Sequence, residues 1–134
     1  MSTKGAKMTL AEYFEKANGY GILATTDASG QVNQAIYAKP YFLDKDDDGT
    51  CCFIMTRRLS HDNVWRNPSA SYLFIEEGGQ FVGKRLSLTV IAEETDPEKI
   101  KAVRSRYAPP ISEEESKYLV HFPIEGVRPL IGTE

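Results

Sequence analysis

Residues 53–74 read FIMTRRLSHDNVWRNPSASYLF, and this stretch decides how the rest of the chain is interpreted. Its pattern predicts an apolar strand, a short basic turn, a helix and a second apolar strand. The helix is expected to begin at Ser60, which has the side chain of an N-cap. It is expected to end at Asn67-Pro68, because a proline disfavours the helical conformation of the residue before it.

Hydroxyl groups and positive charges gather in the turn of this stretch, where the first strand gives way to the helix. Thr56, Arg57, Arg58, Ser60 and His61 lie there. The first N–H groups of a helix lack partners within it, and the helix dipole favours an anion at that end. Arginine adds paired donors for a phosphate. The turn therefore indicates a phosphate site, although a capped helix with exposed arginines explains the same residues.

The sequence on both sides of this stretch supplies further strands. Residues 19–43 predict two alternating strands joined by the turn at 27–30, and residues 85–92 predict another. Thr9 and Glu12 form a capping box that opens a first helix, and a later helix is expected to start near Pro97. Another short helix, expected to start at 112–115, and a closing strand expected at 118–124 complete one domain, residues 1–134. Together these elements predict a mainly β, six-stranded antiparallel split β-barrel with short flanking helices.

The order of these elements and several short motifs resemble the pyridoxamine 5'-phosphate oxidase-like family of FMN-binding split barrels. The motifs that carry the resemblance are residues 34–39 (QAIYAK), 53–56 (FIMT), 58–60 (RLS), 63–64 (NV) and 67–71 (NPSAS). Each is weak alone, and as a set they are fairly specific across roughly residues 9–107. In this family the barrels pair as homodimers with two flavin sites at the interface. The resemblance therefore implies a homodimer with FMN as its cofactor.

Matching the motifs residue by residue implies a set of cofactor contacts. Residues 34–37 would follow the flavin ring and ribityl chain, Met55 and Thr56 would continue that wall, and Lys39 would place a positive charge near the ring. Arginines and Ser60 of the basic turn would hold the phosphate. The full set implied for FMN is Gln34, Ala35, Ile36, Tyr37, Lys39, Met55, Thr56, Arg57, Arg58, Ser60 and Asn63.

The chain also departs from the family pattern. Gln34 stands where the family has an arginine, and Arg58-Leu59-Ser60 stands for its S-R-K triplet, which leaves open whether Arg57 or Arg58 meets the phosphate. The true oxidases bind substrate phosphate with a tyrosine and an arginine one helical turn apart. Arg106 keeps the second position as a substrate contact, whereas Ala102 replaces the tyrosine. We therefore expect FMN binding without oxidation of pyridoxamine 5'-phosphate.

Three functions remain open at this point. The first is a small FMN-dependent oxidoreductase with a small-molecule substrate or electron donor, for which no catalytic residue is assigned. The second is a flavin-binding protein that serves electron transfer or stress. The third is a haem-handling split barrel, which would need His61 or His121 as an axial ligand.

Composition narrows the class of protein. A chain of 134 residues with 41% hydrophobic residues can bury one core, and its net charge of −3 argues against a nucleic-acid partner. Residues 1–7 lack the apolar stretch of a signal peptide, and no apolar run approaches membrane-spanning length. We therefore expect a cytoplasmic protein without a membrane partner.

No metal site is predicted. Cys51 and Cys52 are adjacent in an expected strand, so they should point to opposite faces, one into the core and one to the surface, and should not bond to each other. The acidic loop at 44–49 begins like a calcium-binding EF-hand, but its twelfth position is Met55 where a bidentate glutamate is needed. A solvated hairpin turn accounts better for the loop.

Overall fold

The computed structural model describes residues 8–44, 46–56, 58–107 and 118–132, with only the backbone described at 105–107. It contains three helices and seven strands within these ranges. In chain order the elements are α1 (Leu10–Lys16), β1 (Gly19–Thr26), β2 (Val32–Tyr37), β3 (Thr50–Met55), α2 (Leu59–Arg66), β4 (Ser69–Glu76), β5 (Gly83–Thr89), β6 (Ala92–Glu94), α3 (Pro97–Tyr107) and β7 (Tyr118–Pro129).

The strands form one antiparallel sheet that curls into a half-barrel. Neighbouring strands follow the order β2-β1-β4-β5-β7-β3, and the short β6 pairs with β7 beside this path. The expected six-stranded antiparallel split barrel is therefore confirmed. β2 and β3 lie at the two ends of the path, so the split of the barrel runs between them.

Local chemistry explains the first hairpin. The Asp27 carboxylate accepts hydrogen bonds from the N–H groups of Ser29 and Gln31 and from the Ser29 hydroxyl. These bonds hold the pKa of Asp27 below its ordinary value, the backbone N–H of Gln31 having the largest effect. Gly30 has φ of 92°, a conformation that glycine adopts without strain. β1 and β2 are thereby held in register, with Thr26 opposite Val32.

The helices begin largely as expected. Thr9 and Glu12 form the capping box of α1, each side chain bonding the other residue's backbone N–H. α2 ends at Asn67, as predicted, but its N-cap is Arg58. Ser60, expected to be the cap, lies in the first helical turn with 4% of its surface exposed. The N-cap prediction was wrong because Ser60 is buried against β2 and its hydroxyl bonds there.

Aromatic rings fill the barrel. Phe53 packs against Phe122 and Tyr72 with ring centroids 5.7 and 5.0 Å apart, and Phe14 of α1 closes one end by contacting Phe74 at 5.3 Å. All five rings are at most 2% exposed. Edge-on and tilted aromatic contacts of this kind stabilise a core beyond the area that they bury. A barrel of this size is thus filled by its own side chains.

A second apolar cluster lies outside the barrel, between α3 and the strands β3 and β7. It consists of Tyr41, Cys52, Ile100, Val103 and Leu119. Cys51 and Cys52 point to opposite faces of β3, as predicted, and belong to the inner and the outer cluster respectively. Cys52 is nevertheless only 2% exposed, so its placement at the surface was wrong. α3 covers a sheet face that sequence pattern alone left open to solvent.

Two strand boundaries also differ from the expectation. The strand expected at 85–92 divides into β5 and β6. The closing strand, expected at 118–124, continues to Pro129 and pairs with β5 beyond a register shift at Ser87 and Leu88. The helix expected to start at 112–115 lies outside the described residues. Within the described ranges, no helix has the length and apolar character needed to cross a membrane.

Candidate functional site

An open groove of about 450 Å³ lies at the split of the barrel. One wall is the edge strand β2 and the residue after it, and the other is the end of β3 with the start of α2. The residues that line it are Asn33, Gln34, Ala35, Ile36, Tyr37, Ala38, Ile54, Thr56, Arg58, Leu59 and Ser60. This volume falls within the range of small-molecule sites, roughly 300–1,000 Å³.

One end of the groove is polar and joins its two walls. The Asn33 side-chain amide donates to the Ser60 hydroxyl across 3.2 Å, which connects β2 to α2. On the other wall, Arg58 Nε donates to the Thr56 hydroxyl at 3.0 Å. A guanidinium, two hydroxyls and the first turn of a helix thus meet at one place. Such a set of donors suits an anion.

Tyr37 lies beside this polar end. Burial raises the pKa of its phenol, while a hydrogen bond with Ser60 and the nearby charge of Arg58 act in the opposite direction. The net pKa lies above the ordinary value of 10.0, so the phenol is neutral near pH 7. A neutral hydroxyl does not repel an anion bound at Arg58.

The rest of the groove is apolar and lies along an exposed strand edge. Ile36 is 75% exposed and Leu59 is 56% exposed. β2 pairs with β1 on one side only, so alternate backbone N–H and C=O groups of β2 point towards the groove. The groove therefore offers an apolar surface next to hydrogen-bonding backbone groups.

Comparison with solved structures places this arrangement in a known fold. An FMN-binding protein from Syntrophomonas wolfei subsp. wolfei superposes with a TM-score of 0.76 at 14% identity, over 92% of this chain and 85% of that one. HupZ from Group A Streptococcus gives 0.67 at 20% identity, over 84% and 86%. A provisionally named pyridoxamine 5'-phosphate oxidase from Lactobacillus delbrueckii gives 0.65 at 18% identity, over 90% and 94%. The chain has the fold of the FMN-binding split barrels. No family model and no curated protein matches its sequence.

The split-barrel groove brings together most of the residues implied for the cofactor. Those that line it are Gln34, Ala35, Ile36, Tyr37, Thr56, Arg58 and Ser60. Arg57 lies outside the described residues. Arg106 lies in α3, and its side chain is likewise outside the described part of the chain. What each of these residues binds stays a prediction.

Three further residues of the implied set have side chains that do not line the groove. Met55 is fully buried in the barrel core. Lys39 donates from Nζ to the carbonyl oxygen of Ala17 at 2.8 Å, at the end of α1. Asn63 is 2% exposed, and its amide donates to the Thr25 hydroxyl at 3.1 Å. That bond fixes α2 against β1, so Asn63 supports the groove wall from behind.

The two histidines bear on the haem alternative. His61 is stacked on Tyr118 at 3.9 Å and bonds Glu93 through Nε2 at 2.8 Å. Its Nδ1 is buried and has no hydrogen-bond partner among the described residues, and Asp62 Oδ1 lies 3.9 Å from it. His121 contacts Cys52 Sγ through Nδ1 and Glu94 through Nε2. Neither histidine is among the residues that line the groove, and axial ligation of haem by either one stays a prediction.

Sequence reasoning missed four lining residues: Asn33, Ala38, Ile54 and Leu59. Asn33 carried a signal, because a polar residue at an inward position of a strand usually has a buried partner. Leu59 carried one as well, since an apolar residue follows two arginines at the start of the helix. Ala38 and Ile54 line the groove because the strands β2 and β3 do not pair with each other. The local sequence pattern does not show which strands pair.

Proposed function

We propose that the chain is an FMN-binding flavoprotein, related in type to the pyridoxamine 5'-phosphate oxidases, with the groove as its cofactor site. The observation that carries the proposal is the meeting of Thr56, Arg58 and Ser60 beside the exposed edge of β2. The phosphate of FMN would bind at the polar end, and the ring would lie along Ile36 and Leu59. When bound, FMN supplies transfer of a hydride or of single electrons.

The donor set fits a single terminal phosphate. Arg58 provides charge-assisted hydrogen bonds, and the hydroxyls of Thr56 and Ser60 provide neutral ones. Asn33 holds the Ser60 hydroxyl in place by donating to its oxygen. A neutral Tyr37 adds no opposing charge. Free riboflavin lacks the group that these residues would hold.

Titration that follows flavin fluorescence tests the proposal. We expect FMN to bind at least about tenfold more tightly than riboflavin, the equivalent of one hydrogen bond to a charged group. Equal affinities would show that the polar end does not hold a phosphate. The visible spectrum of the purified protein separates flavin from haem in the same preparation.

A homodimer is the second part of the proposal. Strand register places Tyr20, Ile22, Ile36, Leu73 and Ile75 on the outer face of β1, β2 and β4. Tyr20 is 66% exposed and Ile36 is 75% exposed. Contiguous apolar surface of this kind marks an interaction site. Because Ile36 also lines the groove, a second copy on this face would border the cofactor and cover part of its ring.

Light scattering in the presence of FMN tests the assembly. We expect a two-fold dimer, and Ile22→Glu is expected to shift it towards monomer by placing a charge on the shared face. Ile91→Glu is the matched control, since Ile91 is 61% exposed and lies outside that face. A monomeric wild-type protein with FMN bound would refute the dimer and leave the phosphate argument intact.

Vitamin B6 oxidation is not part of the proposal. Ala102, exposed on α3, lacks the phenolic hydroxyl that the oxidases use at this helical position to bind substrate phosphate. Remote binding energy of that kind orients the reacting carbon, so its loss lowers turnover. We expect little hydrogen peroxide to be released on adding pyridoxamine 5'-phosphate, and efficient saturable release would contradict this. A cytoplasmic location and a small-molecule substrate or electron donor complete the proposal.

A further inference from the structure

Three side chains form a hydrogen-bonded chain on the outer face of the barrel, away from the groove. Cys52 Sγ lies 3.1 Å from His121 Nδ1, and His121 Nε2 lies 2.6 Å from a carboxylate oxygen of Glu94. Lys99 Nζ bonds the same carboxylate at 2.8 Å. The three residues come from the adjacent strands β3, β7 and β6, where Cys52 is opposite His121 and His121 is opposite Ala92. The sheet therefore fixes their order.

The donors and acceptors assign the protons in this chain. A carboxylate only accepts, so His121 Nε2 carries a proton and donates it to Glu94. When the imidazole is neutral, Nδ1 is therefore the acceptor and the Cys52 thiol is the donor. Burial, followed in effect by the charge of Glu94, raises the pKa of Cys52 to about 12, so the thiol is protonated at rest. A thiol, a base that accepts its proton and a carboxylate that orients the base stand in sequence.

The neighbouring cysteine provides an internal contrast. Cys51 lies on the inner face of β3, fully buried in the barrel core. Burial raises the pKa of its thiol as well. Cys51 thus shares the strand, the burial and the residue type of Cys52, but its side chain points away from His121. Any difference in reactivity between the two thiols measures the effect of their surroundings.

We propose that Cys52 is an oxidation site for small neutral peroxides, with His121 as its base and Glu94 as the residue that positions His121. In the reaction the thiol proton moves to His121 Nδ1 and the thiolate attacks one peroxide oxygen. An S–O bond forms as the O–O bond breaks. The leaving hydroxide takes a proton from the imidazolium and departs as water. Cysteine is oxidised by two electrons to sulfenic acid, and the peroxide is reduced.

Access to Cys52 is set by α3. The thiol is 2% exposed beneath Ile100 and Val103 of that helix, whereas the side chain of His121 retains 15% exposure. An uncharged oxidant the size of hydrogen peroxide needs only a small opening beside His121. Bulky or charged reagents would need α3 to move away. We therefore expect the thiol to discriminate by the size of the reagent.

To test the proposal on the full chain, the folded protein is treated with hydrogen peroxide and the excess peroxide is destroyed. A dimedone probe is then added together with denaturant, so that it reaches a sulfenic acid that α3 covers in the folded protein. We expect label on the Cys51→Ala protein and none on the Cys52→Ala protein. The trap reports sulfenic acid only, so oxidation of the methionines does not interfere. Tandem mass spectrometry of the wild-type chain locates the label without any substitution. Label on Cys51, or none on Cys52, would overturn the proposal.

Substitution of the base separates its chemical role from a structural one. In the Cys51→Ala background, His121→Gln is expected to slow labelling on the order of a hundredfold, the contribution of a positioned base. A purely structural role predicts the opposite, because loosening α3 would expose Cys52 and speed its oxidation. Glu94→Gln is expected to slow labelling by a smaller factor. The control is His61→Gln, in which another histidine paired with a glutamate, Glu93, is likewise replaced by glutamine. We expect it to leave the rate of labelling unchanged. An unchanged or faster rate in His121→Gln would refute the role of the base.

Discussion

The strands β2 and β3 border both the interior of the barrel and its split, and the two regions differ in how closely they are packed. Inside, Phe53 of β3 and Tyr37 of β2 meet edge-on with centroids 5.8 Å apart, and the space is filled by side chains. At the split the two strands do not pair, and Arg58, Ser60 and the edge of β2 face an open groove. Side chains fill the interior without a ligand, whereas the split presents hydrogen-bond donors suited to a bound anion. Stability and binding should therefore respond to different residues.

The largest expected effect falls on the interior. Phe74→Ala removes a fully buried ring that contacts Phe14, and the free energy of unfolding is expected to fall by about 3–5 kcal/mol. Phe81→Ala is the control, because Phe81 is 68% exposed and its loss should change stability by less than about 0.5 kcal/mol. Denaturant unfolding measures both. Equal effects would mean that the β4–β5 turn packs against something in solution.

The next effect belongs to the split. Arg58→Ala is expected to weaken FMN binding by about 1.5–3 kcal/mol, the scale of a lost hydrogen bond to a charged group, and to leave the free energy of unfolding nearly unchanged. Arg66→Ala, at the exposed far end of the same helix, should not affect FMN binding. Fluorescence titration gives the affinities. If Arg57→Ala weakens binding and Arg58→Ala does not, the phosphate is held by Arg57.

The interior was largely predictable from sequence, because strand alternation and capping are local. The capping box at Thr9 and Glu12 and the turn at Asp27 each follow from a few neighbouring residues, and the structure confirms both. Local pattern also placed the end of α2 at Asn67. It could not show that Cys52 is covered by α3, because that contact joins segments about fifty residues apart.

The groove was predictable in part. Thr56, Arg58 and Ser60 are close in sequence, and the resemblance to a known family supplied β2 as their neighbour. Met55 and Lys39 show the limit of matching motifs. A shift of one residue along a strand turns a side chain to the other face, and Met55 thus points into the core beside the lining residues Ile54 and Thr56. Motif position alone does not determine the direction of a side chain.

One residue connects the interior to the split and so sharpens the comparison. Tyr72 is fully buried, and its hydroxyl donates to the carbonyl oxygen of Ala38, a groove residue, at 3.1 Å. The hydroxyl passes over Gly21, where any Cβ would overlap it. Tyr72→Phe is expected to cost about 0.5–1.5 kcal/mol of unfolding free energy, the net contribution of one hydrogen bond. A larger loss of FMN affinity than of stability would show that Ala38 is positioned for the cofactor.

The smallest expected effect concerns the hydrogen bonds that Glu94 makes with Lys99 and His121 on the outer face of the barrel. It tests whether solvent weakens these bonds, as at a surface, or leaves them strong, as in the interior. Hydrogen bonds from Lys99, and then from His121, hold the pKa of Glu94 below its ordinary value of 4.5. A depressed carboxylate pKa contributes stability that is present above the unfolded-state pKa and is lost as pH falls through the folded-state value. Because Glu94 is 34% exposed, the contribution should stay below about 1 kcal/mol.

Unfolding measured between neutral and acid pH should therefore show a smaller loss of stability on acidification in Glu94→Gln than in the wild-type protein. Lys99→Gln should reproduce part of that change, and the double variant should add little to Glu94→Gln, since both substitutions remove the same interaction. An unchanged acid profile in Glu94→Gln would mean that solvent already screens the pair, and that only the hydrogen bond to His121 distinguishes this carboxylate from others on the surface.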